Sequence, residues 1–278
     1  VKIACVQMNA GRDIGANLAA SAELIRAAAG QEARLIATPE NTTMIEPVRA
    51  EALARTPDEA HHPGLPFYAQ LAKETGRFLL IGSMPVKLAP DRLANRSYLF
   101  APDGTVLARY DKIHLFDVAL KGGETYRESD QIRPGGQAVL AELPEARLGM
   151  TICYDLRFAA LYRALAQAGA DILSVPAAFT VPTGEAHWHV LLRARAIETG
   201  SFVIAPAQCG THAEGRRTYG HSLIVGPWGD IRAEAGNEPG VILAECDIED
   251  VRAARRMIPA LRHDRAFTGP AALRSVAE

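Results

Sequence analysis

Cys153 is the residue with the most reactive potential in this chain. Residues 147–158 read Arg-Leu-Gly-Met-Thr-Ile-Cys-Tyr-Asp-Leu-Arg-Phe, with Leu148, Met150 and Ile152 alternating with smaller residues. That pattern predicts a short strand entering a core. An alanine- and leucine-rich run, 159–169, follows with helical spacing and a terminal glycine. A thiol on so sharp a strand-to-helix turn is exposed at the sheet edge, where backbone N–H groups face whatever it attacks. A cysteine at a strand end is more commonly a small buried hydrophobe. The nucleophile reading therefore requires a base and a group that holds an oxyanion.

Three further groups answer that requirement. The short apolar strand 34–37 delivers Thr38-Pro39-Glu40-Asn41, which makes Glu40 a candidate general base, although a loop glutamate is usually solvated. Lys112 ends the second arm of a hairpin and precedes an apolar loop; the plainer role for such a lysine is to guard an edge strand. Glu128 lies in the long loop 117–137, and loops of that length in compact domains are often functional. Together they suit acyl transfer. A carboxylate takes the thiol proton, the thiolate attacks a carbonyl, and a cation with a backbone N–H stabilises the oxyanion. Spacing alone does not bring these residues together; the fold must.

The elements that would position them follow from periodicity. Strands are expected at 2–8, 77–83, 171–175, 202–205, 222–225 and 241–247, and helices at 17–29, 65–76, 185–199 and 248–257. Hairpins are expected around Pro102-Asp103-Gly104 and Pro227-Trp228-Gly229. Residues 44–64 read as surface loop and helix, and the arginine-rich segment after Pro259 as a packing arm. The segment from Ser97 to Val106 matches that from Ser222 to Ile231 position by position, as S-x-apolar-apolar-x-P-x-G-x-apolar. This repeat suggests two similar α/β halves packed sheet to sheet with helices outside. A single domain over 1–265 is expected, with a C-terminal tail over 266–278.

Composition excludes several functions. The 278 residues are 48% hydrophobic and 22% charged, with a net charge of −2, a balance typical of soluble globular proteins without a nucleic-acid or acidic-membrane footprint. No apolar run reaches transmembrane length, and the first residues read as a strand and not as a signal peptide. Neither G-x-x-x-x-G-K-[ST] nor G-x-G-x-x-G occurs, and Gly122-Gly123 opens no phosphate loop. Cys5, Cys153, Cys209 and Cys246 are far apart, which argues against a zinc ribbon and for a reducing cytoplasm. His61-His62 reads as a solvated pair. His187 and His189, at i and i+2, do not share a helix face. No metal and no organic cofactor is expected.

The motifs then resemble a known family across nearly the whole chain. Pro39-Glu40-Asn41, Tyr110-Asp111-Lys112-Ile113-His114-Leu115-Phe116, Glu128-Ser129 and Cys153-Tyr154-Asp155-Leu156-Arg157-Phe158 stand in the order seen in carbon–nitrogen hydrolases of the nitrilase superfamily. The resemblance implies a four-layer α-β-β-α sandwich and a Glu–Lys–Cys triad. In it Glu40 is the base, Lys112 the oxyanion-side cation, Cys153 the nucleophile that forms a thioester, and Glu128 an accessory glutamate. It also implies association into dimers or larger homo-oligomers through the outer helices.

Thr183-Gly184, His187-Trp188, residues 192–199, Ala207-Gln208-Cys209-Gly210 and Tyr219-Gly220-His221-Ser222 resemble the Nit branch. That branch holds deaminated-glutathione amidases and the ω-amidases of 2-oxoglutaramate, so the implied substrate is a small amide bearing a carboxylate. An N-carbamoyl amidase, a nitrilase and a catalytically silent scaffold of the same fold are the alternatives. Tyr154, Phe179 and Thr180 are expected to bind substrate, and Arg216 or Arg217 to hold its carboxylate. Glu185 departs from the proline usual in that branch and is expected near the pocket. Asp155 and Arg157 are expected to pair and lock the turn, Trp188 and Trp228 to be core aromatics, and His114 and His221 to be hydrogen-bonded supports.

Overall fold

The computed structural model describes residues 1–120 and 123–269. Gly122 of the expected glycine pair and residues 270–278 of the expected tail lie outside the described residues. In chain order the elements begin β1 (Lys2–Gln7), α1 (Ile14–Gly30), β2 (Leu35–Ala37), α2 (Arg49–Arg55), α3 (Gly64–Thr75), β3 (Phe78–Ala89), β4 (Arg92–Phe100) and β5 (Val106–Asp111). Next come β6 (Asp117–Ala119), β7 (Thr125–Arg127), β8 (Val139–Glu142), β9 (Arg147–Met150), α4 (Ala159–Gln167), β10 (Ile172–Ser174) and α5 (Val181–Thr199). The chain closes with β11 (Phe202–Ala205), β12 (Cys209–Thr211), β13 (Arg217–Tyr219), β14 (Leu223–Val225), β15 (Ile231–Glu234), β16 (Gly240–Glu245) and α6 (Ile248–Met257).

Two six-stranded sheets, β16-β1-β2-β3-β4-β5 and β15-β14-β11-β10-β9-β8, form the middle layers of an α-β-β-α sandwich. Strand alternation builds the layers. Ile3 and Cys5 of β1 enter the core shared with the second sheet, while Ala4 and Val6 pack against α1 and α3. The central parallel strands are buried on both faces, as sheets covered on both sides must be. On the other side Trp188 and Leu192 of α5, with Tyr162 and Leu165 of α4, cover the second sheet.

The repeat seen in the sequence is a repeat of topology. From β16 to β5 the pairings run antiparallel, parallel, parallel, antiparallel, antiparallel. From β8 to β15 they run in the same order. Ala37 pairs with Leu80 and Leu80 with Leu99; Ser174 pairs with Ile204 and Ile204 with Ile224. Ser97 and Ser222 are thus equivalent, as are Pro39 and Pro176.

Several expectations are corrected. α5 begins at Val181, four residues earlier than the pattern suggested. Pro182 and Gly184 read as breakers, yet proline is welcome in a first helical turn, and a Cβ at Gly184 would lie 2.2 Å from the Tyr219 ring. Trp228 is 57% exposed, whereas Trp188 is fully buried. His62 is buried beside exposed His61, its Nδ1 accepting from the Gly64 N–H. The loop 117–137 contains the β6–β7 ribbon. In agreement with expectation, the arm after Pro259 packs on α4, through Arg163 to the Ala260 carbonyl and the Asp264 carboxylate.

Candidate active site

Glu40, Lys112 and Cys153 meet at the C-terminal ends of strands from both sheets. Each is nearly buried, at 3%, 2% and 6% exposure. Glu40 follows β2, whose turn fits only because residue 82 is glycine: a Cβ there would lie 2.0 Å from the Thr38 carbonyl oxygen. Lys112 follows β5, and its backbone N–H donates to the Asn95 carbonyl of β4 at 3.0 Å. Cys153 follows β9 with φ of 48°, in the left-handed region that a non-glycine residue seldom occupies. A single 3-10 turn, Cys153–Arg157, links it to α4. This is the sharp elbow expected from the sequence.

One hydrogen-bonded network fixes the polar groups. Lys112 Nζ donates to Glu40 Oε1 at 2.8 Å and to Glu128 Oε2 at 2.8 Å. Glu40 Oε2 accepts from the Ala178 N–H at 2.9 Å, and Glu128 Oε2 from the Phe116 N–H at 2.7 Å. Asn95 Nδ2 bridges Glu40 Oε1 at 2.9 Å and Glu128 Oε1 at 3.2 Å. Gln208 Nε2 donates to the Glu40 carbonyl at 3.0 Å.

Asn95 and Gln208 received no role from the sequence. Gln208 lay inside a recognised motif. Asn95 lay mid-strand, and nothing in one dimension sets it opposite two carboxylates.

The charges follow from these contacts. Burial pushes the Glu40 carboxyl up, but the charge and hydrogen bond of Lys112 outweigh it and hold its pKa below the ordinary value. Burial lowers Lys112, yet the carboxylates of Glu128 and Glu40 dominate and hold the ammonium well above its usual value. Burial and then the Glu40 charge push the Cys153 thiol well above its ordinary value, with Lys112 opposing. The resting site therefore holds a carboxylate, an ammonium and a neutral thiol. Such a thiol becomes a nucleophile only as its proton leaves for a neighbouring base.

Asp155 secures the elbow, but not through Arg157 as expected. It is fully buried. Its Oδ2 accepts from Tyr110 Oη at 2.7 Å and the Ile152 N–H at 2.9 Å, and its Oδ1 from the His114 N–H at 3.0 Å. The His114 ring lies 2.7 Å from the same Oδ1 and stacks on Phe158. Arg157 instead lies over the Tyr154 and Phe179 rings and reaches His187. The pairing expectation failed because tertiary partners from β5 and its following loop claimed every acceptor of Asp155.

A cavity of about 730 Å³ opens above the triad. Glu40, Lys112, Glu128, Cys153, Tyr154, Phe179, Thr180, Arg216 and Arg217 all line it. Arg216 is half-buried and Arg217 exposed. The Arg216 guanidinium sits 5.9 Å from the Tyr126 ring centroid, with Nη2 3.5 Å from the Ala178 carbonyl oxygen. Its buried Nε has no hydrogen-bond partner among the described residues. Glu185 is exposed on α5 and is not among the lining residues, contrary to expectation. Arg12 contacts both Glu46 and Glu214 at the mouth, tying the loop after β2 to the segment before β13.

Comparison with known proteins adds to this geometry. The carbon-nitrogen hydrolase family profile matches residues 2–256. A deaminated glutathione amidase of Synechocystis is 41% identical over 271 residues, covering 94% of this chain and 96% of the relative. The human deaminated glutathione amidase is 40% identical over 275 residues, covering 95% of this chain and 82% of its own. Among solved structures, the C. elegans NitFhit protein superposes with a TM-score of 0.88 at 34% identity. That match covers 95% of this chain and 65% of the longer worm protein.

Proposed function

The chain belongs to the carbon-nitrogen hydrolase family, and from that premise we propose that it cleaves the amide bond of a small carboxylate-bearing substrate of the deaminated-glutathione type. The observation that carries this reading is the junction of a neutral thiol, a carboxylate and an ammonium on the floor of one cavity. The cavity's volume of about 730 Å³ supports a substrate with a peptide-sized leaving group over a bare carboxamide. Arg216, with its unpartnered Nε, supports binding of the substrate carboxylate.

The reaction follows from the contacts. The Cys153 thiol attacks the amide carbon while its proton passes to Glu40, forming the C–S bond. The carbonyl oxygen becomes an oxyanion, stabilised by Lys112 Nζ and the backbone N–H that follows the nucleophile. The intermediate collapses, the C–N bond breaks, and the leaving nitrogen takes the proton from Glu40. Once the amine departs, water attacks the thioester as Glu40 takes its proton. The second collapse releases the acid, and the proton returns to the thiolate. Glu128 and Asn95 hold Lys112 and Glu40 in place through both halves of the cycle.

Two further assignments belong to this reading. The four cysteines are free, which supports a reducing cytoplasm as the setting. Among the described residues no helix is long and apolar enough to cross a membrane. Exposed Val190 and Ile197 on α5, with Met257 at the end of α6, support a homodimer or larger assembly through the outer helices. Sedimentation of the intact chain tests that assignment; a monomer at micromolar concentration would refute it.

Mass spectrometry tests the substrate. Deaminated glutathione should yield the oxo-diacid and the free dipeptide, with kcat/KM at least about tenfold above that for 2-oxoglutaramate, which would release ammonia. The reverse order would make the enzyme an ω-amidase, and turnover of nitriles alone would make it a nitrilase.

A further inference from the structure

Away from the cavity, His189 on α5, His221 in the turn before β14 and Glu234 on β15 converge. One ligand atom from each lies within 4.8 Å of the others. His189 Nε2 is 2.9 Å and His221 Nδ1 is 3.1 Å from the same oxygen, Glu234 Oε1. None of the three lines the cavity, and the amide reaction uses none of them. We infer that these residues form a binding site for a borderline divalent cation, Zn²⁺ first among them.

Donor chemistry selects the cation class. Two imidazoles and one carboxylate suit Zn²⁺, Ni²⁺ or Cu²⁺, whereas Mg²⁺ and Ca²⁺ take all-oxygen shells. Ligand atoms about 2.1 Å from a tetrahedral Zn²⁺ sit about 3.4 Å from one another. The two His–Glu separations, 2.9 and 3.1 Å, lie a little below that value, so small outward side-chain shifts admit the ion. All three side chains are about a quarter to a third exposed, which leaves a fourth position for water.

The site is held open by structure and not by its own hydrogen bonds alone. The His221 carbonyl accepts from Trp188 Nε1 at 2.8 Å, and its N–H donates to the Gly236 carbonyl at 3.1 Å. The His221 ring stacks on Tyr219 with centroids 4.4 Å apart. His221 also occupies the left-handed region, φ 53°, a conformation the surrounding contacts enforce. The ligands come from three separate elements, so a bound ion would clasp α5 to the edge of the second sheet. In the sequence His189 was weighed only against His187, and the true partners lie 32 and 45 positions downstream.

The test uses the full chain carrying Cys153→Ala, which removes the cavity thiol as a competing ligand. After chelator treatment it is titrated calorimetrically with Zn²⁺ at a pH above the ordinary imidazole value of about 6.5. One ion per chain should bind, and the melting temperature should rise with free Zn²⁺. His189→Ala, Glu234→Gln and His221→Asn, the last keeping a residue that tolerates the left-handed backbone, should each weaken binding by about 100-fold or more. Circular dichroism of each variant checks that it folds. Absence of uptake by the parent would overturn the inference and leave the trio as a hydrogen-bonded clasp. Uptake unchanged in any one of the three variants would also overturn it, by placing the ion at other histidines such as exposed His61.

Discussion

The two halves of the sandwich share one strand topology and divide the chemistry unequally. β2 and β10 both end in a proline turn, at Pro39 and Pro176. In the first half that turn presents Glu40; at the equivalent place in the second stands Ala177. Counting the same way from β1 and β9, Cys153 of the second half corresponds to Met8 of the first, a residue that is buried core. A duplicated sheet therefore supplies two sets of strand ends, and the proposed reaction takes its base from one and its nucleophile from the other. On that proposal neither half would be a catalyst alone, because attack requires the thiol and its base within hydrogen-bond reach.

A second pair of corners shows a different contrast. Tyr98 pairs with Arg109, and Leu223 with Glu234, so Arg96 matches His221 and Arg109 matches Glu234. The first corner is a lattice of permanent charges. Arg96 reaches Asp111 at 2.6 Å and Glu59 at 2.6 Å, and Arg109 reaches Glu59 at 2.8 Å. The second has the imidazole of His221 in place of Arg96 and the carboxylate of Glu234 in place of Arg109, with His189 of α5 beside them, and imidazoles have lone pairs to offer. One corner is an ionic clamp; the other carries the donor set of the proposed cation site.

The sharpest break of the first comparison is Cys153→Ala. Turnover should vanish with the fold intact, and intact-protein mass spectrometry with a slow substrate should show an acyl adduct on the wild type alone. Persisting activity would remove Cys153 as the nucleophile. Next in size, Glu40→Gln and Lys112→Ala should each lower kcat by about 100-fold or more. Near-normal turnover in Lys112→Ala would end its oxyanion role.

Arg216→Ala should raise KM for an acidic amide by about tenfold, with a much smaller rise for a neutral amide, as loss of one charged contact implies. Arg217→Ala should change both little. Equal changes for the two amides would place the carboxylate elsewhere.

The pH response sharpens the division further. Glu40 has a folded pKa below its unfolded value, so its contribution to stability is present above that unfolded value and is lost as pH falls through the folded one. Lys112 has a raised folded pKa; its contribution is full below the unfolded value and is lost as pH rises through the folded one. Denaturant titrations should show stability declining as pH falls below the ordinary glutamate range, about 4.3. The Glu40→Gln variant should show a shallower decline; an identical slope would mean that Glu40 is not held ionised by Lys112.

The smallest effects distinguish the corners. Arg96→Ala should cost about 2 kcal/mol, because it strands partly buried carboxylates. His189→Ala in metal-free protein should cost less than about 1 kcal/mol, as for exposed pairs. Urea denaturation measures both, and equal costs would erase the contrast between the clamps.

Legibility in the sequence tracked locality. Alternating apolar residues disclosed β1 and the strand before Cys153, and the repeated S-x-apolar-apolar-x-P-x-G pattern disclosed the duplicated hairpins. Glu40, Lys112 and Cys153 were legible as candidates because each follows a strand within a distinctive motif. Asn95 was not, since a polar residue inside a strand acquires meaning only from what the neighbouring strand and loop place against it. The Asp155–Arg157 pairing was expected from nearness in sequence and lost to Tyr110 and His114, which are distant in sequence and adjacent in space. Trp228 was expected in the core because it is large and apolar, yet its tight turn carries it outward.

By itself, the sequence determined most of the core strands and helices, the two similar halves and the family to which they belong, and it singled out Glu40, Lys112 and Cys153. These are properties of short segments, whose hydrophobic period and turn residues act locally. The tertiary structure alone decided that Glu40 and Glu128 share one buried ammonium with Asn95 bridging the two carboxylates, that Arg216 and not Arg217 is sheltered in the cavity, and that His189 meets His221 and Glu234. Those outcomes depend on sheet register and on the facing of two sheets. Proton affinity, desolvation and ligand geometry are set across distances of a few ångströms, whatever the separation along the chain.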